Sequence, residues 1–161
     1  FTSRIEQASP RGEISTRKFF APARQAFNSR VNFNTFSVLW NNIFWENKGI
    51  RPILKRLARN YPLYLISNTN ELHFDYVRRR FPRIFRHFKK TFPSHIVGRR
   101  KPDRRIFWHV LRTIKLRPEE TVFVDDMPNF IQAAKQVGMK GIRFRSNTDL
   151  VKGLRRLRIK L

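Results

Sequence analysis

The chain has 161 residues, 40% of them hydrophobic, with sixteen Phe and three Trp. That is enough apolar material for one folded domain and excludes a disordered basic tail. Thirty-five Lys and Arg face eleven Asp and Glu, a formal charge of +24, and the absence of cysteine excludes disulfides and thiolate metal sites. No apolar run approaches the roughly 20 residues that cross a bilayer. The first residues, FTSRIEQASPRGEIS, lack the apolar centre expected of a secretory signal.

Residues 11–46 are rich in Phe, Asn and Trp and read as a small helical subdomain. GEISTRKFF begins with a turn and a helix-capping Ser15, and NTFSVLWNNIFW carries apolar residues at 36, 39, 40, 43 and 44, a helical spacing. GIRPILKRLARNYP predicts an amphipathic helix with Ile53, Leu54 and Leu57 on one face and Lys55, Arg56 and Arg59 on the other. Pro62 stops it. LYLIS, 63–67, reads as a short buried strand that ends at the polar Ser67, Asn68 and Thr69. A helix should follow from Glu71 to Arg80. PRIFRHFKKTF is a basic-aromatic stretch, and HIVG predicts a short strand. PDRRIFWHVLRTIK has helical spacing at 106, 107, 110, 111 and 114, with Pro102 at its start. TVFVDD is the cleanest strand, with strong β formers followed by two acids. NFIQAAKQVG predicts a helix ended by Gly138, GIRF a last strand, and DLVKGLRRLRIKL a basic closing helix. Helices alternating with strands indicate an α/β fold with a parallel sheet. The division expected is a partial helical subdomain over 1–48 and an α/β core over 49–161.

In an open parallel sheet, ligands sit beyond the carboxyl ends of the strands. The strand ending at Ser67-Asn68-Thr69 offers a hydroxyl and backbone N–H groups at a helix start, which suit a phosphate oxygen. The strand ending at Asp125-Asp126 offers two carboxylates, a hard-oxygen set suited to Mg²⁺. Lys101 lies between them in sequence and can neutralise charge on a phosphoryl group in transfer.

In this order, these segments resemble the haloacid dehalogenase-like (HAD) hydrolase superfamily, in its subgroup of small phosphatases with a helical cap. LYLISNTNELHF resembles the second family motif, VGRRKPDRRIF the third, and VFVDDMPNFIQAAKQVGMKGIRF the fourth. GEISTRKFF resembles the start of the cap helices, and the likeness runs from about residue 11 to residue 150. The resemblance implies a Rossmannoid parallel sheet with a small helical cap. It implies catalytic positions at Ser67, Asn68 and Lys101, with Asp126 binding Mg²⁺ and Asp125 supporting it. The family's first motif, an apolar strand ending in Asp-x-Asp, has no counterpart in the 161 residues. The resemblance makes that strand the central one, lying between the strands at 63–67 and 122–125 and carrying the nucleophile. The fold class expected is therefore HAD-like α/β with its central first strand absent. Three ways of closing the slot stand open as expectations: an extension of the chain upstream of Phe1, a strand of another polypeptide, or a rearranged sheet. The chain alone is expected not to turn over by the family mechanism.

The charge suggests a second reading. Arg clusters beside aromatic residues in YVRRRFPRIFRHFKKTF, GRRKPDRRIFW and RFRSNTDLVKGLRRLRIK, and no Asp or Glu lies between 76 and 102. Arg makes bidentate contacts to phosphate and stacks on bases. The expectation is a catalytically impaired, RNA-binding or structural subunit of a ribonucleoprotein, most naturally an organellar and mitochondrial ribosome, contacting rRNA and neighbouring subunits. Its binding residues would be Arg78, Arg79, Arg80, Arg83, Arg86, Lys89, Lys90, Arg99, Arg100, Arg155, Arg156 and Arg158. Mg²⁺ is not required in that reading. The alternative is part of a Mg²⁺-dependent HAD phosphatase acting on small phosphomonoesters, which would be cytoplasmic. A third option is an acidic-membrane binder using the closing helix, through Leu150, Leu154 and Leu157. Phe81, Phe85, Phe88 and Phe107 are expected to be buried; His73, His87, His95 and His109 structural; and Trp40, Trp45 and Trp108 core.

Overall fold

The computed structural model describes residues 20, 21, 24, 25 and 30–161. Ser15 and its expected cap lie outside the described residues. Helix α1, Phe33–Asn41, starts where the Asn32 side chain accepts from Thr35 N–H at 2.9 Å. Helix α2, Ile50–Asn60, buries Ile53 and leaves Lys55, Arg56 and Arg59 in solvent. Strand β1 is Leu63–Ser67. Helix α3, Glu71–Arg80, is capped by Asn70, whose side chain accepts from His73 N–H at 2.9 Å. An acid in its first turn and Arg78, Arg79 and Arg80 in its last complement the helix dipole. A short helix α4, Pro82–Phe85, leads into strand β2, Phe88–Pro93, and a one-turn helix α5, Ser94–Val97.

Helix α6, Arg104–Ile114, is capped by Asp103. A 3₁₀ turn, Pro118–Glu120, precedes strand β3, Val122–Asp125. Helix α7 is Pro128–Gln136 and strand β4 is Lys140–Arg143. The closing helix α8, Asn147–Arg156, is capped by Ser146.

The sheet is parallel, as expected, and comes in two halves. β1 pairs with β2, with Tyr64 opposite Lys90 and Ser67 opposite Pro93. β3 pairs with β4, with Val122 opposite Lys140 and Asp125 opposite Arg143. No ladder joins the halves among the described residues. All five residues of β1 are only half-buried, and Val124 of β3 is 37% exposed. An apolar strand enclosed on both sides would bury all of these. Each half therefore presents an unpaired backbone edge and partly bare apolar side chains.

Two apolar clusters hold the fold. The larger joins Ile106, Phe107 and Leu111 of α6 to Phe123 of β3 and to Ile131, Ala133 and Ala134 of α7. Phe107 meets Phe123 edge-on at 5.1 Å between centroids. Ile66 of β1 packs on the same cluster, so the two half-sheets share a core. The smaller joins Ile53 to Ile142, Leu150 and Leu154. Two glycines permit close approach. A β-carbon on Gly141 would lie 2.9 Å from Ile131 Cγ2, and one on Gly153 would lie 2.9 Å from Ile142 Cγ2.

Several expectations are corrected. HIVG is not a strand: Ser94–Val97 forms one helical turn. The strand lies just before it, in the stretch read only as basic and aromatic. Pro102 does not begin α6; Asp103 does, and the Lys101–Pro102 bond is cis. Phe107 is fully buried, but Phe81, Phe85 and Phe88 are half-buried. Trp45 is 83% exposed and Trp108 is 41% exposed, so neither is core. Trp40 is half-buried, stacked on His73 at 5.7 Å. The apolar face of α8 is not free for a membrane, because Leu150 and Leu154 are buried against Ile53 and Ile142. No helix among the described residues is long and apolar enough to cross one.

His73 is structural. It is buried, and Nδ1 lies 3.0 Å from Asn41 Oδ1. Desolvation lowers its pKa below the usual 6.5. The unfolded chain therefore takes the proton first, so this part of the stability is complete above pH 6.5 and declines as pH falls below it. Denaturation curves recorded between about pH 7 and 5 should show stability falling, and His73→Leu should flatten that fall. His87 is also shifted down, by desolvation and then by Arg86 and Lys55, and leaves a residual slope of the same sign. An unchanged slope in His73→Leu would rule out this origin.

Candidate active site

The carboxyl ends of β1 and β3, which lie in separate half-sheets, converge on one side chain. Lys101 is 7% exposed. Its Nζ donates to the Ile66 carbonyl at 3.1 Å and to Asp125 Oδ2 at 2.6 Å. The ammonium also lies over the rings of Phe123 and Phe130, at 5.6 and 5.1 Å from their centroids. A cation buried beside aromatic faces needs a compensating charge, and Asp125 supplies it.

The backbone of Lys101 is held as firmly as its side chain. Asn68 Nδ2 donates to the Lys101 carbonyl at 2.8 Å, and Lys101 N–H donates back to Asn68 Oδ1 at 2.8 Å. A carboxamide matches a peptide group in this reciprocal way, which explains Asn at the first position past β1. Asp125 is fixed at both oxygens, since Oδ1 accepts from Met127 N–H at 3.0 Å. The turn after β1 has a second staple. Thr69 N–H donates to Ser94 Oγ, which donates back to the Thr69 carbonyl, both at 3.0 Å. The role of Ser94 escapes sequence reasoning, because it follows from β2 lying beside β1.

Of the five candidate site residues, Asn68, Lys101 and Asp125 interlock. Ser67 and Asp126 differ from them. Neither the Ser67 hydroxyl nor the Asp126 carboxylate has a hydrogen-bond or ion-pair partner among the described residues; Asp126 only accepts at its backbone carbonyl, from Arg143. No cluster of three metal-ligating His, Cys, Asp or Glu side chains forms among the described residues. Mg²⁺ is commonly held by one or two carboxylates, with water and phosphate oxygens completing its shell. A free Asp126 beside a neutralised Asp125 fits that pattern.

The twelve basic residues proposed for RNA are exposed, except the half-buried Arg100. They do not form one unit. Arg78 to Lys90 belong to the β1–β2 half, while Arg155 and Arg156 end α8, which packs on β4, and Arg158 follows it.

A family profile described as haloacid dehalogenase-like hydrolase matches residues 17–138. The sesquiterpene phosphatase astK of Aspergillus oryzae is 39% identical over 70 residues, 44% of this chain and 36% of that protein. Flavin mononucleotide hydrolase 1 of Arabidopsis thaliana is 36% identical over 64 residues, 40% of this chain and 26% of that protein. Its name places that hydrolase in the chloroplast, so an organellar address occurs among the relatives. The matches span little more than a third, at most, of these curated relatives. Among solved structures, a HAD family enzyme of Bacteroides thetaiotaomicron, in complex with magnesium and inorganic phosphate, superposes with a TM-score of 0.80 at 26% identity. That match covers 89% of this chain and 75% of the other.

These relatives are hydrolases, and they overturn the expectation of an RNA-binding subunit of a mitochondrial ribosome. The Arg clusters have a local explanation: five of the twelve, Arg78, Arg79, Arg80, Arg155 and Arg156, occupy the last turns of helices, where cations meet the negative end of the dipole. The HAD-like α/β fold is borne out, with short parallel sheets flanked by helices. The profile covers most of its length, and the chain belongs to the haloacid dehalogenase-like hydrolases.

Proposed function

We propose that the chain forms the phosphate- and Mg²⁺-binding part of a HAD phosphatase acting on small phosphomonoesters. A strand seated between β1 and β3, and not contained in these 161 residues, would supply the nucleophilic carboxylate. Residues 1–48 would contribute part of the cap. The observation that carries this reading is the division of labour at the strand ends. Asn68, Lys101 and Asp125 are locked to one another, while the Ser67 hydroxyl and the Asp126 carboxylate are left unengaged.

In this reading Ser67 donates a hydrogen bond to a phosphoryl oxygen, and the buried ammonium of Lys101 offsets its negative charge. Asp125 orients that ammonium. Asp126 would hold Mg²⁺, which when bound would neutralise further charge on the phosphoryl group. Relatives that bind Mg²⁺ and hydrolyse phosphate esters support the assignment.

The test is calorimetric titration of the chain with inorganic phosphate in Mg²⁺ buffer. Binding should weaken at least tenfold when Mg²⁺ is chelated, and by roughly 1.5–3 kcal/mol in Ser67→Ala, the worth of a hydrogen bond to a charged group. Asp126→Asn should abolish the Mg²⁺ dependence. Phosphate affinity indifferent to chelation and to both substitutions would end this assignment.

A further inference from the structure

A second cationic feature lies outside the strand-end site. A cleft of about 500 Å³ is lined by Arg99, Arg105, His109, Arg112 and Thr113. Positions 105, 109 and 112 follow helical spacing on α6, forming a stripe beside the buried one made by Ile106, Phe107, Val110 and Leu111. The stripe spans about 10 Å along the helix, at about 1.5 Å per residue. Arg99 comes from the loop before Lys101.

The cleft has little negative charge of its own. Asp103 beside it is already taken: its Oδ2 lies 2.8 Å from Arg105 Nε and 2.6 Å from Nη2. That pairing holds one guanidinium in place. Neither Arg99 nor Arg112 has a carboxylate within salt-bridge distance among the described residues; Arg112 makes only a long 3.4 Å contact to the Trp108 carbonyl. The Thr113 hydroxyl is turned back onto the His109 carbonyl at 2.8 Å. Three guanidiniums and an imidazole thus border one hollow with a single, already engaged, acid. Like charges repel at this range, and an anion seated among them would relieve that repulsion.

We propose that this cleft binds a multiply phosphorylated small molecule, of the pyrophosphate class. Guanidinium groups suit phosphate because their paired N–H donors match two oxygens at once. The volume falls in the range of small-ligand sites. The cationic stripe is longer than one phosphoryl group needs, and it engages two. The site stands apart from the strand ends, because Lys101 is buried and engaged by Asp125 and Ile66 and contributes nothing to the cleft.

Pyrophosphate is titrated into the chain calorimetrically at physiological salt. Saturable binding is expected, at least tenfold weaker in the double variant Arg99→Ala/Arg112→Ala. Arg155→Ala/Arg156→Ala, at the end of the closing helix and outside both sites, should bind as the parent does. Arg99 and Arg112 are exposed, so the first variant should keep the parental melting temperature; if it does not, Arg99→Ala alone is read the same way. No saturable binding overturns the proposal. Equal losses in the Arg155/Arg156 variant mean diffuse attraction and also overturn it. A loss found only in Ser67→Ala/Asp126→Asn, with full binding kept in the Arg99/Arg112 variant, places the ligand at the strand ends and also overturns it, without touching the phosphatase reading.

Discussion

Lys101→Met should destabilise the fold by about 3–5 kcal/mol, the usual result of removing one partner of a buried ion pair. Both side chains are nearly enclosed, at 8% and 9% exposure, and the pair is 2.6 Å apart. Without the ammonium, the nearly enclosed Asp125 carboxylate keeps its charge with no cation beside it, and the Ile66 carbonyl loses its donor. Met has nearly the length of the lysine stem, so cavity formation contributes little. The double variant Lys101→Met/Asp125→Leu removes the orphaned charge as well and should recover most of the loss, since apolar replacement of a whole buried pair is often neutral. Urea denaturation of the parent, both single variants and the double variant gives the coupling directly. Additive losses would mean that the two side chains do not depend on each other.

Much of this architecture is legible in the sequence. LYLIS and TVFVDD are short apolar runs closed by polar residues, and both form strands where that pattern places them. Glu71–Arg80 shows its limits through an Asn cap, an early acid and three late arginines. β2 is illegible because Phe88-Lys89-Lys90-Thr91-Phe92-Pro93 does not alternate. It is stabilised by β1 on one side and keeps its lysines in solvent, a common protection for an outer strand. Ile96 and Val97 look like strand residues, yet a turn of helix leaves Ile96 73% exposed. Composition alone also misplaces Trp45 and Trp108, because burial is decided by the neighbouring elements and not by the residue type.

The site is legible in identity but not in arrangement. Polar residues at the ends of apolar strands mark Ser67, Asn68, Asp125 and Asp126, and the lysine before α6 marks Lys101. That Asn68 grips the Lys101 backbone, or that Asp125 is held while Asp126 is not, depends on the packing of β1 against α6 and β3. Charge misled in the other direction. A total of +24 suggests a polyanion partner, but net charge counts arginines at helix ends and arginines around a cleft alike.

The remaining prediction has the largest effect and rests on the two unpaired edges. β1 and β3 belong to two separate parallel half-sheets, each with a bare edge and apolar residues half in solvent. An apolar strand between them would pair with both and cover those residues. If it ends in Asp-x-Asp, its first carboxylate arrives beside Ser67, Lys101 and Asp126. Covalent nucleophiles commonly contribute many powers of ten.

The decisive measurement is therefore phosphate release from an aryl phosphate, in Mg²⁺, by the chain carrying such a strand. Release should exceed that of the 161 residues alone on the order of 10⁴-fold. It should vanish when the first Asp of the strand is replaced by Asn, or when Mg²⁺ is chelated. A seated strand, recognised by a raised melting temperature, that yields no phosphate would contradict the account, as would release that survives the Asn replacement.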